Sequence, residues 1–196
     1  MGGSGVINLD ILHEHKQVFG LFAQQLTYPQ KLDFLPLDIY DWLDSAAPAY
    51  DYIQKYWSLM QEYSLEQIEE LYPQTFDFQK EATLYMTYFK FEDSKERGQM
   101  LVKLKIMYQM FGLDMPEQEL SDYLPLMCEF IYAAEWRGNP HAARDFEVMI
   151  GVIEDGTYHL LQALEKWNSP YYNLIKAIRE TLKACIEQEA NTHEHV

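Results

Sequence analysis

The chain has 196 residues, of which 48% are hydrophobic and 15% aromatic, and its formal net charge is −16. This length suits one domain with a sizeable core, and the apolar content excludes a disordered chain. The charge argues against nucleic acid and against stable binding to an anionic membrane, whereas it would attract a basic peptide. Acids that only keep an aromatic-rich protein in solution explain the composition equally simply.

The sequence predicts one helical domain between two short tails. Residues 1–5, MGGSG, resemble a cloning remnant or a disordered start, residues 6–190 form the domain, and residues 191–196 form a disordered tail. The chain contains neither a signal peptide nor about 18 consecutive apolar residues, so we expect a soluble cytoplasmic protein. Cys128 and Cys185 lie in apolar helical patterns, which predicts buried free thiols in a reducing compartment.

Apolar residues recur with the 3.6-residue period of a helix almost throughout the chain. Helices are expected at about residues 12–26, 37–63, 64–72, 78–91, 101–111, 123–136, 140–154, 157–167 and 171–189. Ser64 and Gln67 predict a capping box, and Gly112 followed by Leu113 predicts a helix C-cap. Strand-like alternation is nearly absent, so the sequence predicts an all-α domain of about eight to ten helices.

An acidic stretch is the most unusual local feature of the sequence. The 31 residues from 106 to 136 contain six acids and no Lys, Arg or His. Asp122 is predicted as the N-cap of the following helix, which puts Pro125 at the third helical position and leaves Glu119 and Glu129 unexplained. Glu129 lies two turns after Asp122, so both carboxylates are expected on one side. A solvated face would explain Glu129, and so would a receptor for a positively charged segment.

Two other sets of residues are candidates for contacts with a ligand. Asp93 and Arg97 have the i, i+4 spacing of a helical ion pair, and Asp93 is also suited to an N-cap. Tyr85, Tyr88 and Tyr123 are candidate apolar anchors for a peptide. Ordinary core packing with a satisfied hydroxyl group explains each tyrosine equally well.

Signatures of catalysis and of cofactor binding are missing from the sequence. It contains no GxGxxG, GxxxxGK[ST], HExxH or GxSxG motif. The HEH triplets at 13–15 and 193–195 have an i, i+2 spacing, which points the two imidazoles to different sides of a helix. We therefore expect no enzyme, no bound cofactor and no metal site.

Residues 71–130 resemble the central region of the NarJ-type nitrate reductase molybdenum cofactor assembly chaperones, the delta-subunit family. The resemblance rests on TFDF at 75–78, TLYMTY at 83–88, Asp93-x-x-x-Arg97-Gly98, and ELSDYLP with the later EF at 119–130. The family commonly has Gly where this chain has Glu92. The related TorD-like chaperones have E-P-x-D-H at 119–123, where this chain has Tyr123 in place of the His.

The resemblance implies an all-helical, TorD-like cytoplasmic chaperone without catalytic activity. Such a protein would bind the N-terminal leader-like segment of the apo nitrate reductase catalytic (alpha) subunit and assist molybdenum cofactor insertion and complex assembly. The candidate peptide-binding residues are Tyr85, Tyr88, Asp93, Arg97, Glu119, Asp122, Tyr123 and Glu129.

Two alternatives to this client and this function stay open from the sequence. The chain would also suit a related helical chaperone of another molybdoenzyme, because the choice of partner depends on details of the groove. A helical enzyme or regulator with an unknown ligand is the second alternative. A monomer and a homodimer are both compatible with the sequence.

Overall fold

The computed structural model describes residues 6–29, 43–91 and 93–186. This part of the chain contains eight α-helices and one 3₁₀ helix, Lys80–Ala82, and no β-strand is present in it. The α-helices are α1 (Leu9–Glu14), α2 (Lys16–Gln25), α3 (Tyr50–Met60), α4 (Leu65–Phe76), α5 (Ser94–Met110), α6 (Leu124–Ala133), α7 (Ala142–Lys166) and α8 (Tyr171–Ala184). The predicted all-α fold is confirmed. The predictions for residues 1–5, 37–42 and 191–196 lie outside the described residues.

The core lies between paired helices. Helix α2 packs along α6, while α8 packs against both α3 and α7. Large aromatic side chains fill the centre, and those with almost no exposed surface are Phe19, Phe22, Tyr56, Tyr108, Phe146 and Tyr171. Burial of a side chain of this size contributes roughly 1.5–3 kcal/mol to folding. Within the described residues, no helix is both long enough and apolar enough to cross a lipid bilayer.

Two predicted helix caps are present as the sequence indicated. The Gln67 amide nitrogen donates to Ser64 Oγ at 3.2 Å, and the Ser64 amide donates to Gln67 Oε1 at 2.8 Å. Gly112 has a φ of 75°, and the Leu113 amide donates to the Tyr108 carbonyl at 3.0 Å. Both predictions are confirmed because each cap depends only on residues within one turn of each other.

The helix predicted at about 78–91 is wrong. After the 3₁₀ helix the chain is extended at Thr83, and Tyr85 pairs with Tyr123 in an antiparallel bridge. A turn follows, in which the Tyr88 amide donates to the Tyr85 carbonyl at 3.1 Å. The Met86 amide donates to the Asp122 carbonyl at 2.9 Å, and the Leu124 amide donates to the Leu84 carbonyl at 2.8 Å. The buried apolar side chains here are Ala82, Leu84 and Met86, at a spacing of two, and Thr87 is buried as well. In a run this short, the apolar pattern does not distinguish a period of two from the helical period.

The two helices predicted at 140–154 and 157–167 form one continuous helix, α7. A break was expected at residues 155 and 156, but the backbone is helical there, including Gly156. A Cβ atom at this position would lie 2.7 Å from both the Cα atom and the carbonyl oxygen of Met86. Gly156 therefore lets segment 83–88 approach α7 closely, with the backbone of Met86 in direct contact with the helix.

The first predicted helix is divided in two. Asn8 caps α1 by accepting hydrogen bonds from the amides of Asp10 at 3.0 Å and Ile11 at 3.1 Å. The helical geometry is interrupted at His15, and α2 then starts. The apolar stripe was the only signal used for this prediction, and it does not report such a break.

Candidate functional site

The bridge between segments 83–88 and 119–124 brings several candidate residues together. The rings of Tyr85 and Tyr123 pack with their centroids 5.4 Å apart. The Tyr85 hydroxyl donates to Glu119 Oε1 at 3.0 Å, and all three side chains are partly exposed. Two aromatic surfaces and a carboxylate thus lie beside each other at the protein surface.

Two further tyrosines continue this arrangement. The Tyr72 hydroxyl donates to the Leu26 carbonyl at 2.9 Å and lies 3.3 Å from the Tyr123 hydroxyl. The ring of Tyr28 meets that of Tyr72 edge to face, with centroids 5.7 Å apart, and is 53% exposed. We refer to the set Tyr28, Tyr72, Tyr85 and Tyr123 as the tyrosine row.

The phenol groups of Tyr72, Tyr85 and Tyr123 are uncharged at neutral pH. Burial raises the pKa of Tyr72 and of Tyr123 above the usual value. Burial, followed by the hydrogen bond to the Glu119 carboxylate, raises the pKa of Tyr85 to about 12. The row therefore offers neutral aromatic surfaces and hydroxyl groups, while Glu119 supplies the negative charge.

Asp122 lies behind the row and is fully buried. Its Oδ2 atom accepts hydrogen bonds from the Thr87 amide at 3.0 Å and the Thr87 hydroxyl at 2.5 Å, and it lies 3.5 Å from Arg97 Nη2. Arg97 Nε also donates to Thr87 Oγ1 at 3.0 Å. These bonds join the start of α5 to both segments of the bridge and compensate a buried negative charge.

The predicted helix-capping role of Asp122 is wrong. Tyr123 is the N-cap residue of α6, and no side chain caps that end. The amide of Leu124, which Asp122 was expected to cap, donates to the Leu84 carbonyl instead. Pro125 is accordingly the second helical residue and not the third. A buried tertiary contact has replaced the local cap because the neighbouring segment is extended.

Asp93 and Arg97 do not form the ion pair that their spacing permits. Asp93 caps α5 by accepting a hydrogen bond from the Lys95 amide at 2.8 Å, as predicted. Arg97 turns away from it towards Thr87 and Asp122. The buried carboxylate of Asp122 competes successfully because an unpaired buried charge is far more costly than an exposed one.

The fold supplies cations to part of the acidic stretch. Lys16, on α2, donates to Glu135 Oε1 at 2.7 Å and to the Ala134 carbonyl at 2.7 Å. The hydrogen bond and the charge of Lys16 lower the pKa of Glu135. With Asp122 paired to Arg97, two of the six acids have cations that are distant in sequence. The stretch from 106 to 136 contains no cation of its own, and the fold brings one to each of these two acids.

Three predicted site residues lie apart from the row. Tyr88 is 42% exposed and packs edge to face on Phe89. Asp93 stands at the exposed start of α5, and Glu129 is exposed on α6. Glu129 lines a separate pocket of about 180 Å³ together with Asp114. Asp122 and Glu129 therefore do not share a face, because Asp122 points into the protein.

Sequence reasoning missed Tyr28, Tyr72 and Thr87 as members of the site. Thr87 lies within TLYMTY, so the motif contained a signal for it. Tyr72 reaches the row only through the packing of α4, and the chain offers no local sign of that contact.

Both cysteines are buried free thiols, as predicted. Burial raises the pKa of Cys128, and burial together with the charge of Glu14 raises the pKa of Cys185 to about 12. Protonated thiols are poor nucleophiles. Within the described ranges, no group of three or more His, Cys, Asp or Glu side chains is placed to hold a metal ion.

Comparison with known proteins agrees with the motifs. Residues 43–187 match the family described as nitrate reductase delta subunit. The chain belongs to this family. The resemblance inferred from the motifs of the central region is therefore confirmed.

Two named relatives are similar to parts of this chain. The chain is 40% identical over 122 residues to the "Probable nitrate reductase molybdenum cofactor assembly chaperone NarJ" of Bacillus subtilis (strain 168), a match that covers 62% of each protein. It is 27% identical over 110 residues to the "Nitrate reductase-like protein NarX" of Mycobacterium tuberculosis (strain CDC 1551 / Oshkosh). That match covers 56% of this chain and 16% of the relative.

Proposed function

We propose that this delta-subunit family protein is a cytoplasmic maturation chaperone of nitrate reductase. It binds the N-terminal leader-like segment of the apo catalytic subunit and assists molybdenum cofactor insertion and complex assembly. The name of the Bacillus subtilis relative, a probable assembly chaperone, supports this function. The observation that carries the proposal is the tyrosine row with Glu119 at its edge, because aromatic surfaces beside a carboxylate suit a basic, partly apolar segment.

Each part of the row has a separate role in this proposal. The rings of Tyr85 and Tyr123 receive apolar side chains and the faces of cations. Glu119 accepts a hydrogen bond from a Lys or Arg of the segment. The overall charge of −16 draws a basic segment towards the protein before contact.

Asp122, Thr87 and Arg97 act by positioning and do not contact the segment. Asp122 is fully buried, so an arriving side chain does not reach it in this structure. Its bonds to Thr87 and Arg97 hold segment 83–88 beside segment 119–124. Tyr88, Asp93 and Glu129 stay predictions as peptide contacts.

Apolar contacts alone give this site only weak affinity. Three apolar anchors contribute roughly 5–9 kcal/mol, and ordering a flexible peptide removes about 2–5 kcal/mol. The remainder is at most about 7 kcal/mol, which corresponds to a dissociation constant of about ten micromolar at best. Charge complementarity has to supply the rest, so binding should weaken as salt is added.

Co-purification tests the proposed client. The chain is co-expressed with the apo catalytic subunit of nitrate reductase, with the same subunit lacking its N-terminal segment, and with the catalytic subunit of another molybdoenzyme. We expect the intact nitrate reductase subunit to be recovered with the chain and the other two to be lost. Equal recovery of the shortened subunit would contradict binding through the N-terminal segment, and preferential recovery of the other enzyme would identify a different client.

A further inference from the structure

We propose that one face of α5 is a second docking surface, which accepts an acidic, apolar helix of a partner protein. The α5 outer face consists of Val102, Ile106 and Met110, which are 58%, 50% and 57% exposed. Their spacing of four residues places them in one row along the helix. The inference goes beyond the binding of a leader-like segment and rests on different residues.

These three side chains lie outside the buried core. The opposite side of α5 supplies Leu104, Met107 and Tyr108 to the core. The Tyr108 hydroxyl donates to the Ser121 carbonyl at 2.6 Å, so this inner side also supports the segment that carries Glu119. A surface helix ordinarily has a polar outer side. A contiguous apolar row there is typical of an interaction site.

The outer face borders a groove between α5 and α7. The groove encloses about 250 Å³, and Val148 of α7 forms part of its far wall. Asp145 contributes the single acid and Lys103 the single base to the lining. A groove with anchors at i, i+4 and i+8 suits the apolar side of a docked helix.

The charges of α5 decide which kind of helix fits. Helix α5 carries four bases, Lys95, Arg97, Lys103 and Lys105, and one acid, Glu96. Because Arg97 is paired with Asp122, the other charged residues of the helix sum to +2 (3 − 1) in a chain whose total is −16. The three lysines are exposed, whereas Arg97 points to Asp122. This surface therefore attracts an acidic helix and repels a basic segment. Two α5 helices from two copies would place lysine against lysine.

Methyl NMR of the full chain with two designed peptides tests the proposal. Both peptides are amphipathic helices of about 18 residues, long enough to span the outer face, with the same leucine stripe. One has glutamates beside the stripe and the other has lysines. We expect the glutamate peptide to shift the methyl signals of Val102, Ile106 and Met110, and the lysine peptide to leave them unchanged.

Matched variants distinguish specific docking from nonspecific hydrophobic binding. Ile106→Gln/Met110→Gln should weaken binding of the glutamate peptide about tenfold or more, because two anchors are lost. The control Phe78→Gln/Tyr158→Gln alters side chains that are 75% and 53% exposed elsewhere on the surface, and it should bind normally. Thermal melts should show that both variants fold, since the altered side chains are exposed.

Charge reversal and the tyrosine row complete the test. Lys103→Glu/Lys105→Glu should abolish the preference for glutamate over lysine peptide. Glu119→Gln should leave glutamate-peptide binding intact, so failure of the proposed leader binding and failure of this proposal are distinguishable. The proposal is overturned if the glutamate peptide causes no shift, if both peptides shift the three methyl groups equally, or if dilution without peptide shifts them, which would indicate self-association.

Discussion

Glu119 supplies the negative charge of the proposed site. Its Oε1 atom accepts from the Tyr85 hydroxyl and also from the Leu120 amide at 2.9 Å, so the carboxylate is held in a fixed orientation. The acid two residues earlier, Glu117, is exposed and carries the same charge. A fixed carboxylate next to two aromatic rings is better prepared for a cation than a freely moving one, because less side-chain entropy is lost on binding.

We expect Glu119→Gln to weaken binding of the leader-like peptide several-fold and to reduce its salt dependence. The loss corresponds to one charge-assisted hydrogen bond, about 1–2 kcal/mol. Calorimetry at two ionic strengths measures both effects. The control Glu117→Gln removes the same charge without the contacts of Glu119 and should have a smaller effect. Equal losses in both variants would mean that only total charge matters.

Arg97 is expected to be important for stability because it lies beside a fully buried carboxylate. Arg97→Ala leaves Asp122 without its cation, and breaking such a buried pair costs about 3 kcal/mol. Arg144→Ala removes an exposed arginine and should change stability by less than about 0.5 kcal/mol. Urea unfolding of both variants provides the comparison. A loss that Asp122→Asn does not partly restore in the double variant would contradict the pairing.

At the scale of elements, segment 83–88 positions the side chains of the candidate site. It pairs with segment 119–124 through backbone hydrogen bonds, and this pairing places Tyr85 against Tyr123. Helix α7 supports the segment from behind at Gly156. A helix at 78–91 would not supply this pairing, so the departure from helical structure is what brings the aromatic and acidic side chains together.

Gly156→Ala tests whether the contact with α7 matters. The new Cβ atom would lie 2.7 Å from backbone atoms of Met86, so the segment has to move, and such overpacking costs about 1–3 kcal/mol. In Gly151→Ala, on the same helix, the Cβ atom meets no atom within 4 Å. That control should stabilise the protein by roughly 0.5–1 kcal/mol through helix propensity. Stabilisation of both variants would show that the segment is not fixed by α7.

The success of the sequence predictions depended on the range of the interactions involved. The all-α class, the Ser64 capping box and the Gly112 cap follow from neighbours within a few residues, and the structure confirms them, whereas the helix predicted at 78–91 is wrong. The Asp122–Arg97 pair and the Tyr72–Tyr123 contact join residues 25 and 51 positions apart. Such contacts depend on how the helices pack, which local periodicity does not contain. The family resemblance identified the right segments without giving their geometry.

At the scale of the whole molecule, charge is divided between two surfaces. The tyrosine row has Glu119 at its edge within a chain of net charge −16, while the charged residues of α5 other than the paired Arg97 sum to +2 (3 − 1). The two surfaces are connected through α5. On its inner side, the Tyr108 hydroxyl and the Leu101 carbonyl form hydrogen bonds with Ser121 of segment 119–124. Under the two proposals, segments of opposite charge bind to two neighbouring surfaces of the protein.

A protein that acts by holding a client should work in proportion to its amount. Deletion of the chain should leave the nitrate reductase subunits synthesised but the catalytic subunit poor in molybdenum cofactor. Added purified chain should restore maturation only when apo-enzyme and cofactor are both present, with a yield that follows the amount of chain bound.

The measurement is a titration of the chain against a fixed amount of apo-enzyme, with activity and molybdenum content as readouts. The Glu119→Gln variant should need a higher concentration for the same yield, because its occupancy of the client is lower. Conversion of a large excess of apo-enzyme by trace amounts of the chain would point to turnover. Covalent change of the client peptide or of the cofactor, visible by mass spectrometry, would contradict the chaperone function outright.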